Sequence, residues 1–295
     1  RSDERVEMFD EQAHMGPARP RDENGVSMLV VTVNVNGIRA AVRKGMADWV
    51  DETAADVVLL QEVRAPEDLV ADIVGDDYTL IQEASVLKGR AGVAIAVRKD
   101  HPVTTNVIGL GADEPDVDTG RWVEATVPSL GTTFVSAYLH SGVANNPEKM
   151  AAKYAHLNRV EARLDMLLAA RTDDAPHVLV GGDFNIVHTP LDIKNWKPNY
   201  NKTSGVLDPE IDYLNRWFGG EWVDAHRKLS GPTQGPYTWW SQRGKAFDND
   251  AGWRIDYQMT TPELAERTVS ARVDRAASYA ERWSDHAPLV MKYEV

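Results

Sequence analysis

An aspartate and a histidine stand side by side in "SDHAPLVM" (284–291), where an apolar strand leaves a loop. A carboxylate near an imidazole can fix its tautomer and let it move a proton near neutral pH. The value of Asp285 and His286 therefore depends on what other segments supply. Several apolar runs close, or open, on the same chemistry. "VNVNG" ends in Asn34 and Asn36, "LLQE" in Glu62, and "LVGGDFN" in Asp183 and Asn185. "AYLH" holds Tyr138 near its end, and "GWRIDY" carries Asp256 in what reads as mid-strand.

Each motif alone has a bland explanation. Asn–Gly is a turn signal, "GGDFN" can be a tight turn with an Asx bond, and "RID" can be a surface ion pair. Their number and placement carry the argument. Strands that finish in Asp, Glu, Asn or His can converge on one rim of a sandwich. Carboxylates gathered there repel one another unless a cation neutralises them. Glu62 with Asn36, Asp183 or Asp285 nearby would make a hard-metal site of the magnesium kind. Asp256 would orient His286, while Asn34, Asn185 and Tyr138 are neutral groups suited to phosphate oxygens. These are the parts for cleaving a phosphodiester by attack of water.

The elements that must position these residues alternate along the chain. Runs 29–35, 56–62, 78–84, 92–99, 121–127, 132–140 and 177–185 read as strands, as do 236–240, 253–260, 268–274 and 286–294. Helices are expected over 40–55, over 146–171 with Asn146 as cap and Pro147 in the first turn, and near 209–218. The strands between 78 and 140 have no helix between them, so neighbours there should pair antiparallel. The pattern predicts an α+β protein with two sheets face to face and helices outside. Residues 1–27 are polar and read as a flexible tail, with the compact domain over 28–295.

Composition narrows the chemistry. The 295 residues are 43% hydrophobic and 26% charged, and none is cysteine. Disulfides, thiolate zinc sites and cysteine nucleophiles are thereby excluded, and oxygen or histidine must hold any metal. No apolar run reaches the length of a membrane span, and the charged first residues show no secretory signal, so a cytoplasmic protein is expected. A net charge of −13 opposes a protein that coats nucleic acid. An enzyme with a local basic rim is compatible with it. Arg39, Arg43, Lys44, Lys194, Lys197, Lys202, Arg243, Lys245 and Arg254 flank the motifs and could form that rim.

In order and rough spacing, "NVNGIRA", "LLQE", "AYLH", "GGDFNIVHTPLDIKN", "GWRIDYQM" and "SDHAPL" resemble the exonuclease III and apurinic/apyrimidinic (AP) endonuclease family, within the endonuclease/exonuclease/phosphatase superfamily. The resemblance runs from Met28 to Val295. "LDIKNWKPNYNK" looks closer to the AP-endonuclease branch than to members acting on lipid or inositol phosphates. The resemblance implies a four-layer α-β-β-α sandwich, two mixed β-sheets with the site at one edge. It implies a monomeric, Mg2+-dependent enzyme, with Mn2+ able to substitute. Its substrate would be double-stranded DNA with abasic sites or damaged 3′ ends, with RNA, lipid or inositol phosphates as the alternative. By position, Glu62 would be the chief metal ligand with Asn36 beside it, and Asp285 an auxiliary or second one. Asn34 would orient Glu62, Asp183 would handle the attacking water, and Asn185 and Tyr138 would bind the phosphate. His286, held by Asp256, would stabilise phosphate charge. Asn195 and Asn199 match amides that contact DNA. Trp239 and Trp253, beside Arg254, match aromatics that wall the pocket for a base-free sugar. The chain departs from the family pattern at His140 and Ser141, where Pro–Asn or Pro–Gln is common, and at Asn36, often an aspartate.

Overall fold

The computed structural model describes residues 27–295. The tail expected over 1–27 lies outside them, apart from Ser27, which opens the first strand. Twelve strands are present among the described residues: β1 (Ser27–Asn34), β2 (Val57–Gln61), β3 (Tyr78–Glu83), β4 (Val93–Arg98), β5 (Thr105–Ile108), β6 (Trp122–Val127), β7 (Thr132–Tyr138), β8 (His177–Asp183), β9 (Val223–Asp224), β10 (Asp256–Thr260), β11 (Thr268–Val273) and β12 (Leu289–Glu294). They form two six-stranded sheets, ordered β11-β12-β1-β2-β4-β3 and β5-β6-β7-β8-β10-β9. Each is mixed: β1 pairs parallel with β2, and β7 with β8, while their other neighbours run antiparallel. The antiparallel pairing expected between 78 and 140 holds for β3 with β4 and for β5, β6 and β7. The chain changes sheet between β4 and β5.

Alternation along each strand builds the layers, because successive side chains point to opposite faces. In β1, Met28 and Val30 join the cluster between the sheets, with Val57, Leu59, Ile95, Phe134 and Leu179. Val31 and Val33 point the other way, onto α1 (Ile38–Arg43), α2 (Met46–Thr53) and α3 (Glu67–Val74). The outer face of the second sheet packs Val135, Val178, Val180 and Tyr257 against α4 (Pro147–Ala169) and, after the short α5 (Trp196–Asn199), α6 (Asp208–Phe218). Helix, sheet, sheet, helix is the expected order of layers. The sheets approach closely where Gly181 faces Leu59: an added Cβ would lie 2.4 Å from Leu59 Cδ1. Asn146 caps α4 as expected, its side chain accepting from Lys149 N.

Several boundaries differ from the sequence reading. The helix expected over 40–55 is two helices, because Gly45 adopts φ 105°, outside the helical region. α3 carries Val70, Ile73 and Val74 at helical spacing and was not expected; β5 is exposed at every residue and offers no buried pattern. The runs 236–240 and 253–260 are not full strands: Trp239 and Trp253 make isolated bridges, and β10 begins at Asp256. The last strand likewise begins at Leu289, with His286 in a bridge to Trp239.

Arg254 overturns one element of the expected basic rim. It is fully buried. Its Nε donates to Asp192 Oδ1 at 2.7 Å, and its Nη1 and Nη2 donate to Asp224 at 3.1 and 2.6 Å. It therefore cannot face DNA. It ties the segment after β8 to β9, immediately before α7 (Ala225–Ser230). Removing one member of a buried charge cluster leaves its partners desolvated and uncompensated. Arg254→Met should lower unfolding free energy by about 3–5 kcal/mol, measured by urea denaturation; a loss under about 1 kcal/mol would contradict the lock.

Candidate active site

The inward-facing rows of the strands change character toward one end. On β1 the row runs Met28, Val30, Thr32, Asn34; on β7, Phe134, Ser136, Tyr138; on β8, Leu179, Gly181, Asp183. Register aligns their ends. Tyr138 pairs with Asp183, and Asp183 with Asp256 on the other side. Asn34 pairs with Gln61, the residue before Glu62. Below this polar end, Gln61 Nε2 crosses to Ser136 Oγ at 3.0 Å, and Ser136 Oγ donates to Leu60 O at 2.9 Å.

Asn34 joins the two sheets at the site. Its Nδ2 donates to Glu62 Oε1 at 2.9 Å and to Asp183 Oδ2 at 3.0 Å. Its Oδ1 accepts Asn36 N at 2.9 Å, and its main-chain oxygen accepts Ser284 Oγ at 2.7 Å. Ser284 Oγ in turn accepts His286 N at 3.2 Å. Tyr138 donates its hydroxyl proton to Glu62 Oε1 at 2.8 Å, while Arg64 pairs with Glu62 Oε2. Asn185 is held by N to Asp183 Oδ1 and by Nδ2 to Leu139 O, at 2.9 and 2.8 Å. His286 Nδ1 lies 2.8 Å from Asp256 Oδ2, and its Nε2 lies 3.6 Å from Asp183 Oδ2.

Asn36, Glu62 and Asn185 take left-handed φ values of 48°, 47° and 51°. Non-glycine residues avoid that region, and such strain gathers at functional sites. The turn at Glu62 brings its carboxylate to Asn34 and Tyr138, and the turn at Asn185 brings its amide to Leu139 O.

Electrostatics follows from burial. Desolvation pushes the Asp183 carboxyl up, to about 7, against the opposing charge of His286 and the amide of Asn34. Burial alone would lower His286; the carboxylates of Asp256 and Asp183 outweigh it and push the imidazole up, to about 10. Burial, then the charge of Glu62, keeps the Tyr138 phenol protonated.

The donor set fits a hard cation. Carboxylates and amide oxygens dominate, and Asp285 Oδ1 and Asp256 Oδ1 are buried with no hydrogen-bond partner. Asp183, Asp256 and His286 bring ligand atoms within 4.8 Å of one another. Asp285 Oδ2 accepts Trp239 Nε1 at 3.2 Å. Trp239 and Trp253 meet edge to face with centroids 5.4 Å apart, and Trp239 lies 6.4 Å from the His286 ring. Trp240 belongs to the core, with Nε1 bonded to Asp250.

A family model described as the endonuclease/exonuclease/phosphatase family matches residues 31–286. The chain belongs to that family. Within it, the chain is 30% identical over 263 residues to the exodeoxyribonuclease of Bacillus subtilis, covering 89% of this chain and 98% of that one. It is 27% identical to the DNA repair nuclease APEX1 of Danio rerio, covering 92% and 84%. An AP endonuclease structure from Archaeoglobus fulgidus superposes with a TM-score of 0.75 at 26% identity, covering 91% and 100%. As a family member, the protein is a metal-dependent phosphodiesterase.

Eight predicted residues thus meet directly: Asn34, Asn36, Glu62, Asp183, Asn185 and Tyr138 in one hydrogen-bonded group, and Asp256 and His286 against Asp183. Asn195 is exposed before α5, and Asn199 braces that turn, with Nδ2 to Asn195 O at 2.7 Å and Oδ1 accepting from Thr203 at 2.9 Å. Sequence reasoning missed Lys153 and Glu210. Lys153 is fully buried, pairs with Glu210 at 2.6 Å, and donates to the carbonyls of Ser141 and Asn185 at 3.2 and 3.0 Å. A signal existed. Lys153 interrupts the apolar stripe of Met150, Leu157, Val160, Leu164 and Leu167 on α4.

His286 has a folded pKa above its ordinary value. Its charge therefore contributes stability that is complete below pH 6.5 and disappears as pH rises through about 10. In Asp256→Asn, NMR titration of His286 should show a lower pKa, and the variant should be destabilised more at pH 6.5 than at pH 10. An unchanged imidazole titration would contradict the pairing.

Proposed function

We propose that the protein is a DNA-repair phosphodiesterase of the exonuclease III type, incising 5′ of abasic sites in duplex DNA and removing 3′-blocking groups or nucleotides. The continuous link Glu62–Asn34–Asp183–His286 across the two sheets carries this reading. The names of the Bacillus and Danio relatives support DNA as substrate. Magnesium, with manganese as substitute, would be held by Glu62, Asn36 and Asp285. His286 Nδ1 is already engaged by Asp256 at 2.8 Å, so in this reading the ion would sit on the Glu62 side. When bound, the ion supplies positive charge against the developing phosphate charge.

The chain's own groups do the rest. Asp183, buried and raised toward neutrality, positions the attacking water and accepts its proton. His286, its ring fixed by Asp256, directs Nε2 and a positive charge to the phosphate. Asn185 and Tyr138 hold the phosphate oxygens in place. Trp239 and Trp253, edge to face beside His286, would flank an extrahelical sugar, and a missing base lowers the cost of unstacking. Asn195, with Asn199 bracing its turn, would reach the strand beside the lesion. Lys194, Lys197, Lys202, Arg243 and Lys245 are exposed near these segments in sequence, as are Arg39, Arg43 and Lys44. They provide the local positive charge that a chain of net −13 requires for phosphate binding.

The test is an abasic duplex with magnesium, with and without chelator, beside RNA and inositol-phosphate substrates. The expected products are a 3′-hydroxyl and a 5′-sugar phosphate, and chelation should abolish them. Absent or chelator-insensitive incision, with a control enzyme active, refutes the reading. His286→Ala and Asp183→Ala should each lower turnover by about two to four orders of magnitude with circular dichroism unchanged. Near-normal rates in both would remove their assigned roles.

A further inference from the structure

The departure at His140 has a structural counterpart away from the link just described. His140 follows β7 by two residues and turns toward α4. There it meets Asp118, from the short turn before β6, and His156, from the helix. His140 Nε2 lies 2.6 Å from Asp118 Oδ1, and His156 Nδ1 lies 3.9 Å from Asp118 Oδ2. The two rings meet edge to face, 4.8 Å between centroids. One ligand atom from each residue falls within 4.8 Å of the others. Asp118 is 1% exposed and His156 0%.

The unexplained group is His156. Both of its ring nitrogens are buried without a hydrogen-bond partner. A neutral imidazole carries one donor and one acceptor, and leaving both unmade inside a protein is destabilising. Such a ring is retained where something else engages it. Two imidazoles and one carboxylate are the donor set of a borderline-soft divalent ion, unlike the oxygen set around Glu62. Tetrahedral zinc holds its ligand atoms roughly 3.3 Å apart. One ligand atom from each residue lies within 4.8 Å of the others, so no pair has to close by more than about 1.5 Å to reach that spacing.

We infer that Asp118, His140 and His156 form a second metal site, for a divalent transition ion of the zinc class, distinct from the Glu62 centre.

The surrounding charges set the conditions. Arg159 Nη1 lies 2.9 Å from Asp118 Oδ2, and Arg121 and Lys153 also face the group. Lys153 is neutralised by Glu210, and Arg121 lies over the Tyr138 ring. Arg159 is the exchangeable cation. Its side chain is one-third exposed, so it can leave Asp118 for solvent when the ion arrives. Burial first, then for His156 the neighbouring His140 and cations, holds both imidazoles below their usual range, against the pull of Asp118 on His140. They are therefore neutral at neutral pH, the form that binds metal.

The experiment titrates the full, metal-stripped chain with Co2+ in excess magnesium and reads the visible absorption of nitrogen-ligated cobalt. Wild type and His286→Asn should each bind one equivalent with that band. His140→Asn, at a half-buried loop position, and His156→Gln should weaken binding by at least about tenfold and lose the band. Zn2+ should displace the cobalt and raise the melting temperature of wild type but not of His140→Asn. Arg159→Met should bind more tightly; unchanged or weaker binding contradicts the exchange. No band in wild type, as when water alone satisfies His156, or a band that survives His140→Asn, overturns the proposal.

Discussion

One side-chain amide joins the two halves of this molecule at the site. Asn34 ends the inward row of β1, and both protons of its Nδ2 are committed, one to Glu62 and one to Asp183. Those acids come from different sheets. Two facing carboxylates would otherwise repel, and an amide offers each a donor without adding charge. The same residue receives Ser284 on its carbonyl and through it fixes the loop that delivers His286. An aspartate at this position could accept but not bridge.

The sandwich makes that bridge possible by grading its interior. Between the sheets the side chains pass from Val30, Leu59 and Phe134 to Thr32, Gln61 and Ser136, and then to the acids. The apolar end supplies the burial that holds the sheets together. The polar middle satisfies its own hydrogen bonds and spaces the strands. The far end is where the backbone turns: Asn36, Glu62 and Asn185 take left-handed torsions just beyond the ends of β1, β2 and β8. Supports on the outer faces keep those turns in place. Lys153, neutralised by Glu210, grips the carbonyl of Asn185 from behind, and Arg254 anchors the segment leading to Asn195.

The parts of this site legible in sequence are those that rest on local rules. A period of two, strands closing on acids and amides, and the shared order of the motifs were enough to place Asn34, Glu62, Asp183, Asp256 and His286 together. Properties set by distant partners were not legible. Arg254 reads as a cation of the basic rim because its acids, Asp192 and Asp224, lie 62 and 30 residues away. Trp239 and Trp253 read as strand residues because alternation cannot distinguish a single bridge from a ladder. Helical spacing of Val42, Met46 and Trp49 continues through Gly45, so periodicity alone joins two helices whose break is a backbone torsion. Asp118, His140 and His156 come from three separate elements, and only the packing of α4 on the second sheet unites them.

The central claim is that the strand tips from both sheets surround one hard cation on the Glu62 side of the imidazole. The most direct measurement is an anomalous difference map from crystals of the full chain soaked in Mn2+. A peak against the carboxylate of Glu62, with Asp285 or Asn36 completing its shell and His286 outside it, is the predicted result. A peak ligated by His286, or none at Glu62 in crystals that bind manganese elsewhere, would contradict the account.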